Sequence, residues 1–254
     1  MSTPRSGDAS APRPPTARDR AIIRDVLRHG QMTRHQIQRL HFRHGGYVAS
    51  FQAVCRRLAL LTAWGYLSRA RLPVPVGSGP FVYQVGPNAR LALGEEPGDR
   101  LPARRRVRTA PALAHRLEIV DFYIALREAL EGEGAILTWL GESEARFQGT
   151  AGGRRLVIAP DAYCLWRRGG AEGAFFLEWD RGTESLARLA DKLTRYDRYY
   201  AVELYHDHLG EEGLRPRLLF VVPDARRAQR VRDWMVRRRA QRAYPHLPTV
   251  LIGR

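Results

Sequence analysis

The chain has 254 residues, and its 44% hydrophobic and 27% charged residues are typical of a globular protein, which excludes a disordered or fibrous one. No apolar run approaches the roughly 18 residues that a membrane span needs, and the N-terminus lacks the apolar core of a secretory signal. Two cysteines exclude a disulfide framework. We therefore expect a soluble, cytoplasmic protein with no membrane partner.

The net charge of +16 is concentrated in the N-terminal part of the chain. Residues 1–110 contain 19 arginines and 6 acidic residues, a balance of 19 − 6 = +13, whereas residues 111–254 contain 23 basic and 20 acidic residues, a balance of +3. This asymmetry favours a polyanion, double-stranded DNA, as the partner of the N-terminal part. Lys192 is the only lysine among the 42 basic residues, which singles it out as a candidate site residue.

Three short helices and a hairpin are predicted in the N-terminal part. Apolar residues at helical spacing predict a helix over residues 18–29, and Thr33 and Ser50 are candidate N-caps of two further helices. Two strand-like runs around a Gly-rich turn then predict a β-hairpin. This order predicts a winged helix-turn-helix domain over residues 18–93, in which the third helix enters the major groove of DNA.

The residues expected to face DNA follow from this interpretation. In the third helix we expect an inward apolar face and an outward polar one, and in the hairpin we expect a wing that contacts phosphates. The inward residues are Phe51, Val54, Cys55, Leu58 and Leu61. The predicted DNA contacts are Gln52, Arg56 and Arg57 in the third helix, Arg69 and Arg71 in the hairpin, and Arg104, Arg105 and Arg106 in a basic linker. That linker spans residues 94–111, and residues 1–17 are predicted to be a disordered tail.

Residues 112–254 are interpreted as a second domain, so that the fold class is α+β. Its predicted order is α-β-β-β-α-β, followed by a helix and a short strand-like run at the C-terminus. The second strand is predicted from Leu156 to Trp166, the third from Ala174 to Asp180, and the long helix from Glu184 to about Leu209. We expect Thr183 to cap this helix.

Three carboxylates are predicted to gather at the ends of neighbouring strands. Because side chains alternate along a strand, Glu178 and Asp180 share a face, and a hairpin to the preceding strand would bring Asp161 beside Glu178. Such acidic residues suit Mg²⁺ or Mn²⁺, which activates water in phosphodiester hydrolysis. Pairing of the same carboxylates with the many arginines is the structural alternative, and it stays open here.

The pattern of Pro160-Asp161 on one strand and Glu178 on the next resembles the PD-(D/E)xK nuclease superfamily. The resemblance implies a restriction-endonuclease-like domain in which Asp161 and Glu178 bind the metal. Asp180 stands where the superfamily has its lysine, and Lys192, on the following helix, is the candidate replacement. The resemblance also implies a glutamate from the first helix, for which Glu118 is the best match, with His115 one turn earlier.

The stretch from Glu178 to Glu184, which reads E-x-D-R-G-T-E, followed by Lys192-x-x-x-Tyr196, resembles the replication-relaxation family of plasmids and other mobile elements. The resemblance covers roughly residues 18–222. It implies a winged helix followed by a nuclease-like domain, a role in plasmid replication or DNA relaxation, and contacts with proteins of a replication or relaxation complex.

Three functions remain open on the sequence alone. The first is a Mg²⁺- or Mn²⁺-dependent DNA endonuclease or nickase, with Asp161, Glu178, Asp180, Lys192 and Glu118 as its catalytic residues. The second is a non-catalytic DNA-binding accessory factor built on a degenerate nuclease-like scaffold, which the presence of Asp180 favours. The third is a winged-helix transcription regulator.

Overall fold

The structure is a computed structural model, and it describes residues 14–44, 47–72, 79–94, 110–209, 214–241, 243–248 and 250–253. Within these residues the chain forms a mixed α+β protein with eight helices and several sheets. It divides into two units, Met1–Ala125 and Leu126–Arg254. The sequence-based division placed its linker earlier, at residues 94–111, of which only residues 94, 110 and 111 lie within the described part.

The first unit contains short helices around a three-stranded antiparallel sheet, in the strand order β1-β5-β4. Its elements are α1 (Ala17–His29), β1 (Met32–Thr33), α2 (Arg34–His41), β2 (Arg43–His44), β3 (Tyr47–Val48), α3 (Phe51–Ala63), β4 (Leu67–Arg71), β5 (Phe81–Val85), α4 (Ala89–Leu93) and α5 (Ala110–Ala129). The three helices and the hairpin occur in the predicted order. The sequence pattern did not predict β1, the small β2–β3 ribbon or α4.

Capping residues set the helix boundaries of the first unit. The Thr33 hydroxyl accepts from the Gln36 backbone N–H at 3.2 Å, and the Ser50 hydroxyl accepts from the Ala53 N–H at 3.3 Å, as predicted. Gly65 follows α3 at φ +72°, a left-handed conformation that favours glycine. Each cap satisfies a backbone group that the helix itself leaves unpaired.

The core of the first unit is built from the apolar stripes of its helices. Val54, Leu58 and Leu61 of α3 are fully buried, as expected. Phe51 is an exception, because it lies in the first turn of α3 with 55% of its surface exposed. The expectation that Phe51 faces inward is therefore wrong, and the guanidinium of Arg34 lies 3.6 Å from the centre of its ring instead.

The first part of α5 belongs to the first unit. Leu113 and Leu117 pack with Val82 in one apolar cluster. The buried side chain of Gln36 also donates to the carbonyl oxygen of Leu117 at 2.8 Å. A fragment that ends before α5 would expose these groups, so the DNA-binding experiments below use the full chain.

The second unit is built on a five-stranded mixed sheet in the order β12-β11-β10-β9-β6. Its elements are β6 (Gly134–Gly141), β7 (Phe147–Ala151), β8 (Arg154–Ile158), β9 (Ala162–Arg168), β10 (Ala171–Trp179), α6 (Leu186–Ala201), α7 (Leu204–Leu209), β11 (Arg217–Val221), α8 (Ala225–Ala240) and β12 (Val250–Gly253). Strands β6, β9 and β10 are antiparallel, whereas β10, β11 and β12 are parallel and are joined through helices, as parallel neighbours require. The predicted C-terminal strand is present as β12.

Two predicted elements of this unit are divided in the structure. The single strand expected from Leu156 to Trp166 is two strands, because the chain breaks around Pro160, which has no backbone donor. Strand β8 pairs with β7 in a separate hairpin. The long helix predicted to run to Leu209 ends at Ala201, and Glu203, at φ +51°, separates α6 from α7.

An aromatic core joins α6 to the sheet. Phe176 of β10 is fully buried, and Tyr196, Tyr199 and Tyr200 of α6 pack around its ring with centroid distances of 5.8–6.4 Å. Tyr163 of β9 lies opposite Phe176 in the strand register. The face of β10 that carries Phe176 therefore points toward α6, and Glu178, two residues along, shares that face.

No helix in the described part of the chain combines the length and the apolar character that crossing a membrane requires.

Candidate functional site

Asp161 and Glu178 lie side by side at the end of β9 and β10. The register pairs Leu177 with Ala162, so Asp161 is positioned opposite Glu178. The backbone N–H of Asp161 donates to the Leu177 carbonyl at 2.9 Å, and its carboxylate Oδ2 accepts from the Trp179 N–H at 2.7 Å. The first bond continues the backbone ladder of the antiparallel pair, and the second holds the carboxylate against β10.

Lys192 reaches this pair from the second turn of α6. Its Nζ lies 2.7 Å from Glu178 Oε2 and 3.3 Å from Glu184 Oε1. These distances place Lys192 against the acidic strand ends, and its role in catalysis stays a prediction. Glu184 was not among the predicted site residues, although it lies in the E-x-D-R-G-T-E string.

Burial sets the electrostatics of the cluster. Glu178 is only 3% exposed, and burial raises the pKa of its carboxyl to about 7, although Lys192 acts in the opposite direction. Burial alone would lower the pKa of the Lys192 ammonium, but the Glu178 and Glu184 carboxylates raise it above its usual value. The ammonium thus stays charged, while burial makes the Glu178 carboxyl take up a proton more readily than an exposed glutamate does.

Tyr196 completes the surroundings of Glu178. Its hydroxyl donates to Glu178 Oε1 at 2.6 Å, and burial raises the pKa of Tyr196 well above its usual value. The hydroxyl is therefore a neutral donor. Tyr199 and Tyr200 are equally buried and pack in the core of the second unit.

Asp180 is held by Arg227 of α8 at a separate point. Arg227 Nε donates to Asp180 Oδ2 at 2.7 Å, and the Gly182 N–H donates to Oδ1 at 2.7 Å. Arg227 also donates to the carbonyl of Glu184 at 2.6 Å. This network fixes the turn between β10 and α6, and both carboxylate oxygens of Asp180 accept hydrogen bonds from protein donors.

The hydroxyl that caps α6 belongs to Ser185, which accepts from the Arg188 N–H at 3.3 Å. The expectation that Thr183 caps this helix is therefore wrong.

The donor set of the cluster suits a hard cation in type. Asp161 and Glu178 offer adjacent carboxylate oxygens, and Mg²⁺ in proteins is commonly held by one or two carboxylates with waters completing its shell. Within the described ranges, no group of three or more His, Cys, Asp or Glu side chains is arranged to hold a metal ion. A cation at this point would therefore depend on Asp161, Glu178 and water.

Glu118 and His115 lie on α5 within the first unit. Asp161 belongs to the second unit, so a role for Glu118 beside Asp161 stays a prediction.

In the second unit, the ring of His208 links Tyr199 to β7. Its Nδ1 lies 3.2 Å from the Tyr199 hydroxyl, and its Nε2 lies 3.0 Å from the Gln148 carbonyl. His208 therefore anchors α7.

Arg57 of α3 has a structural partner. Its Nε donates to Asp19 Oδ1 at 2.6 Å, its Nη2 contacts Asp19 Oδ2, and Asp19 is fully buried. The expectation that Arg57 faces DNA is therefore wrong, because its guanidinium joins α3 to α1. The helical pattern gave no sign of this pair, which is separated by 38 residues.

The other described DNA-facing candidates are exposed. Gln52 and Arg56 lie one turn apart on α3, and Arg69 and Arg71, two residues apart, lie on one face of β4. The guanidinium groups of Arg69 and Arg71 each lie 4.4 Å from the centre of the Phe81 ring, a cation–π distance. Arg104, Arg105 and Arg106 lie outside the described residues.

Taken together, these features define a two-unit α+β protein that presents exposed arginines in one unit and a lysine-bridged acidic cluster in the other. The replication-relaxation family model matches residues 23–218, which is more than half of the chain. The chain therefore belongs to the replication-relaxation family, as its motifs suggested.

Other comparisons give less. The restriction endonuclease FokI is similar to the chain with 13% identity and a TM-score of 0.22, over 81% of this chain and 36% of the enzyme. FokI bound to DNA gives 15% identity and a TM-score of 0.25, over 85% of this chain and 40% of the enzyme. The chain thus spans about two fifths of the length of these structures, and TM-scores this low carry no argument about fold. No curated protein matches the chain.

Proposed function

We propose that the protein binds duplex DNA through its first unit and acts in the replication or relaxation of mobile-element DNA. Membership of the replication-relaxation family supports this role. The first unit contributes the order of three helices and a hairpin that is typical of a winged helix, together with the +13 charge of residues 1–110. In this proposal α3 enters the major groove and β4 lies against the phosphates.

The observation that carries DNA binding is the exposure of arginines on two neighbouring elements. Helix α3 packs against β4, and Tyr83 of β5 interacts with Arg69 of β4 and lies near Cys55 of α3, so the two elements that carry the exposed arginines are neighbours. Arg56 projects from the same helix as Cys55. Arginines on neighbouring elements can contact phosphates and base edges at once.

We predict opposite outcomes for two adjacent arginines. Arg56→Ala should weaken duplex binding by about 1–3 kcal/mol and leave stability unchanged, because its side chain is exposed. Arg57→Ala should lower the free energy of unfolding by roughly 3 kcal/mol, because it leaves the buried Asp19 carboxylate without its cation. Fluorescence anisotropy with labelled DNA and urea unfolding measure the two effects.

Titration of the full chain at several salt concentrations is the accompanying control. Affinity should fall steeply as salt rises, since phosphate contacts release counterions. Absent or salt-independent binding would overturn the DNA-binding proposal. A loss of affinity with Arg57→Ala at unchanged stability would show that Arg57 faces DNA after all.

We propose further that the acidic cluster is a Mg²⁺- or Mn²⁺-dependent phosphodiester-cleaving site, with Asp161 and Glu178 as ligands. A bound cation would supply Lewis acidity and an activated water. The chain's own residues have separate tasks: Trp179 and Tyr196 orient the two carboxylates through hydrogen bonds, and the Lys192 ammonium stabilises negative charge that develops on the phosphate. Glu184 positions that ammonium. The single observation that carries this proposal is the adjacency of Asp161, Glu178 and Lys192.

Metal binding is expected to stabilise the fold. Millimolar Mn²⁺ should raise the melting temperature by several degrees, because a ligand at 100 times its Kd contributes about 2.7 kcal/mol. Asp161→Asn should abolish the response and keep the fold, since its side-chain oxygen can still accept from the Trp179 N–H. Thermal melts with and without metal measure this. Asp191→Asn, an exposed carboxylate of α6, is the matched control and should respond like the unmodified protein; an equal response in Asp161→Asn would exclude the site.

A second candidate function is a non-catalytic DNA-binding accessory factor. Two observations favour it. The Asp180 carboxylate is paired with Arg227, and the Glu178 carboxylate already accepts hydrogen bonds from both Lys192 and Tyr196. In that case the acidic cluster only stabilises the second unit. A protein that binds duplex DNA but neither responds to metal nor cleaves any DNA would have this function.

A further inference from the structure

Helix α8 concentrates the positive charge of the second unit. Its 16 residues contain seven arginines and one aspartate, a balance of 7 − 1 = +6. The remaining residues of 126–254 contain 15 basic and 17 acidic residues, a balance of 15 − 17 = −2. The small net charge of this unit is therefore the sum of one strongly basic helix and a slightly acidic remainder.

Six of the seven arginines of α8 divide into two sets according to their contacts, and the side chain of Arg239 lies outside the described part of the chain. Three are used within the fold: Arg227 binds Asp180, Arg232 donates to the Ile252 carbonyl at 3.2 Å, and Arg238 lies 5.6 Å from the Trp234 ring centre. Three others are exposed and have no ion-pair or hydrogen-bond partner among the described residues. These three are Arg226, Arg230 and Arg237.

The exposed set forms one stripe along the helix. At 100° per residue, Arg226, Arg230 and Arg237 lie within about 40° of one another, opposite the buried Ala228, Val231 and Met235. The exposed Asp233 lies beside them and accepts from Gln229, so this face of the helix keeps a balance of 3 − 1 = +2. The stripe is about 16 Å long at 1.5 Å per residue. This length matches about five phosphates of one DNA strand, which follow at about 3.4 Å along the axis.

We propose that the α8 stripe, defined as Arg226, Arg230 and Arg237, is a second DNA-contacting surface that binds the backbone phosphates of duplex DNA. This inference rests on the proposed DNA-binding function and assigns part of it to the second unit. Charge complementarity supports it, because arginines used only for solubility would not be collected on one helix while the rest of the unit is acidic. The position supports it too, since Arg227 in the first turn binds both Asp180 and the Glu184 carbonyl. A duplex along α8 would thus run to the edge of the acidic cluster.

The test measures the salt dependence of duplex binding by the full chain in two triple variants. Arg226→Ala/Arg230→Ala/Arg237→Ala should reduce the slope of log affinity against log salt by about 2–3, since each lost phosphate contact removes about 0.9. The matched control, Arg188→Ala/Arg195→Ala/Arg198→Ala, removes the same charge from exposed positions of α6, where Asp191 and Asp197 are interspersed. It should change the slope by less than about 1.

Replacing the stripe by lysines should retain the slope of the unmodified protein, because counterion release depends on charge and not on the guanidinium group. Equal slopes for the stripe variant and the control would overturn the α8 proposal, and a loss in Arg56→Ala would then show that the first unit still binds DNA. Failure of the unmodified protein to bind any duplex would overturn both proposals together.

Discussion

Substitution of Lys192 should reduce metal-dependent nicking of supercoiled plasmid by roughly 10²–10³-fold, the usual cost of removing one preorganised electrostatic group. Its Nζ lies 2.7 Å from Glu178 and is 24% exposed at the side chain, so it is held at the cluster and still accessible to a phosphate. Lys192→Met removes the charge. Lys192→Arg should fail nearly as badly, because a planar guanidinium cannot take the place of a compact ammonium between two carboxylates.

The controls separate catalysis from folding. Lys192→Met leaves the buried Glu178 without its cation, so unfolding must be measured beside cleavage. Tyr196→Phe removes another donor to Glu178 without changing charge, and it should reduce the rate by less than Lys192→Met does. Efficient cleavage by Lys192→Arg would remove the lysine from the reaction, and no cleavage by the unmodified protein would favour the accessory factor.

Loss of the Asp180 carboxylate should destabilise the second unit by about 3–5 kcal/mol. Arg227 is buried, with 9% of its side chain exposed, and Asp180→Ala would leave this guanidinium with the Glu184 carbonyl but without its counter-charge. The turn into α6 would also lose the bond from the Gly182 N–H. Urea or thermal unfolding measures the effect.

Glu172→Ala is the matched control for Asp180→Ala. Glu172 lies on β10, the strand that leads to Asp180, and its substitution breaks the exposed ion pair with Arg167 of β9, which should cost at most about 1 kcal/mol. If Asp180→Ala kept full stability but lost its response to Mn²⁺, Asp180 would be a metal ligand and its pairing with Arg227 incidental.

Sequence patterns over a few residues predicted those parts of the site whose geometry depends on neighbouring residues. The alternation of side chains along β10 placed Glu178 on the inner face with Phe176, and the strand pairing placed Asp161 beside it. The caps Thr33 and Ser50 were predicted because each satisfies backbone groups a few residues away. The β7–β8 hairpin had a comparable signal in Gly152-Gly153, both at positive φ, which the sequence analysis missed.

Long-range charge pairing is the part that the sequence could not predict. Arg57 and Asp180 were both placed on the correct local element, yet each side chain is bound by a partner far away in the sequence, Asp19 and Arg227. In a chain with 42 basic residues, any carboxylate has many candidate partners, and helical or strand spacing cannot choose among them. The partner of each side chain is decided by tertiary packing, which brings α1 to α3 and α8 to the end of β10.

The single lysine makes the acidic cluster observable by spectroscopy. Because Lys192 is the only lysine, growth on isotope-labelled lysine would place one labelled backbone amide and one labelled side chain in the whole chain. Its ε-carbon is bonded to the Nζ that lies 2.7 Å from Glu178 Oε2, so the resonance of this carbon would report on the cluster without overlap from another lysine. Metal, DNA or a change of pH at the cluster could then each be followed through one peak.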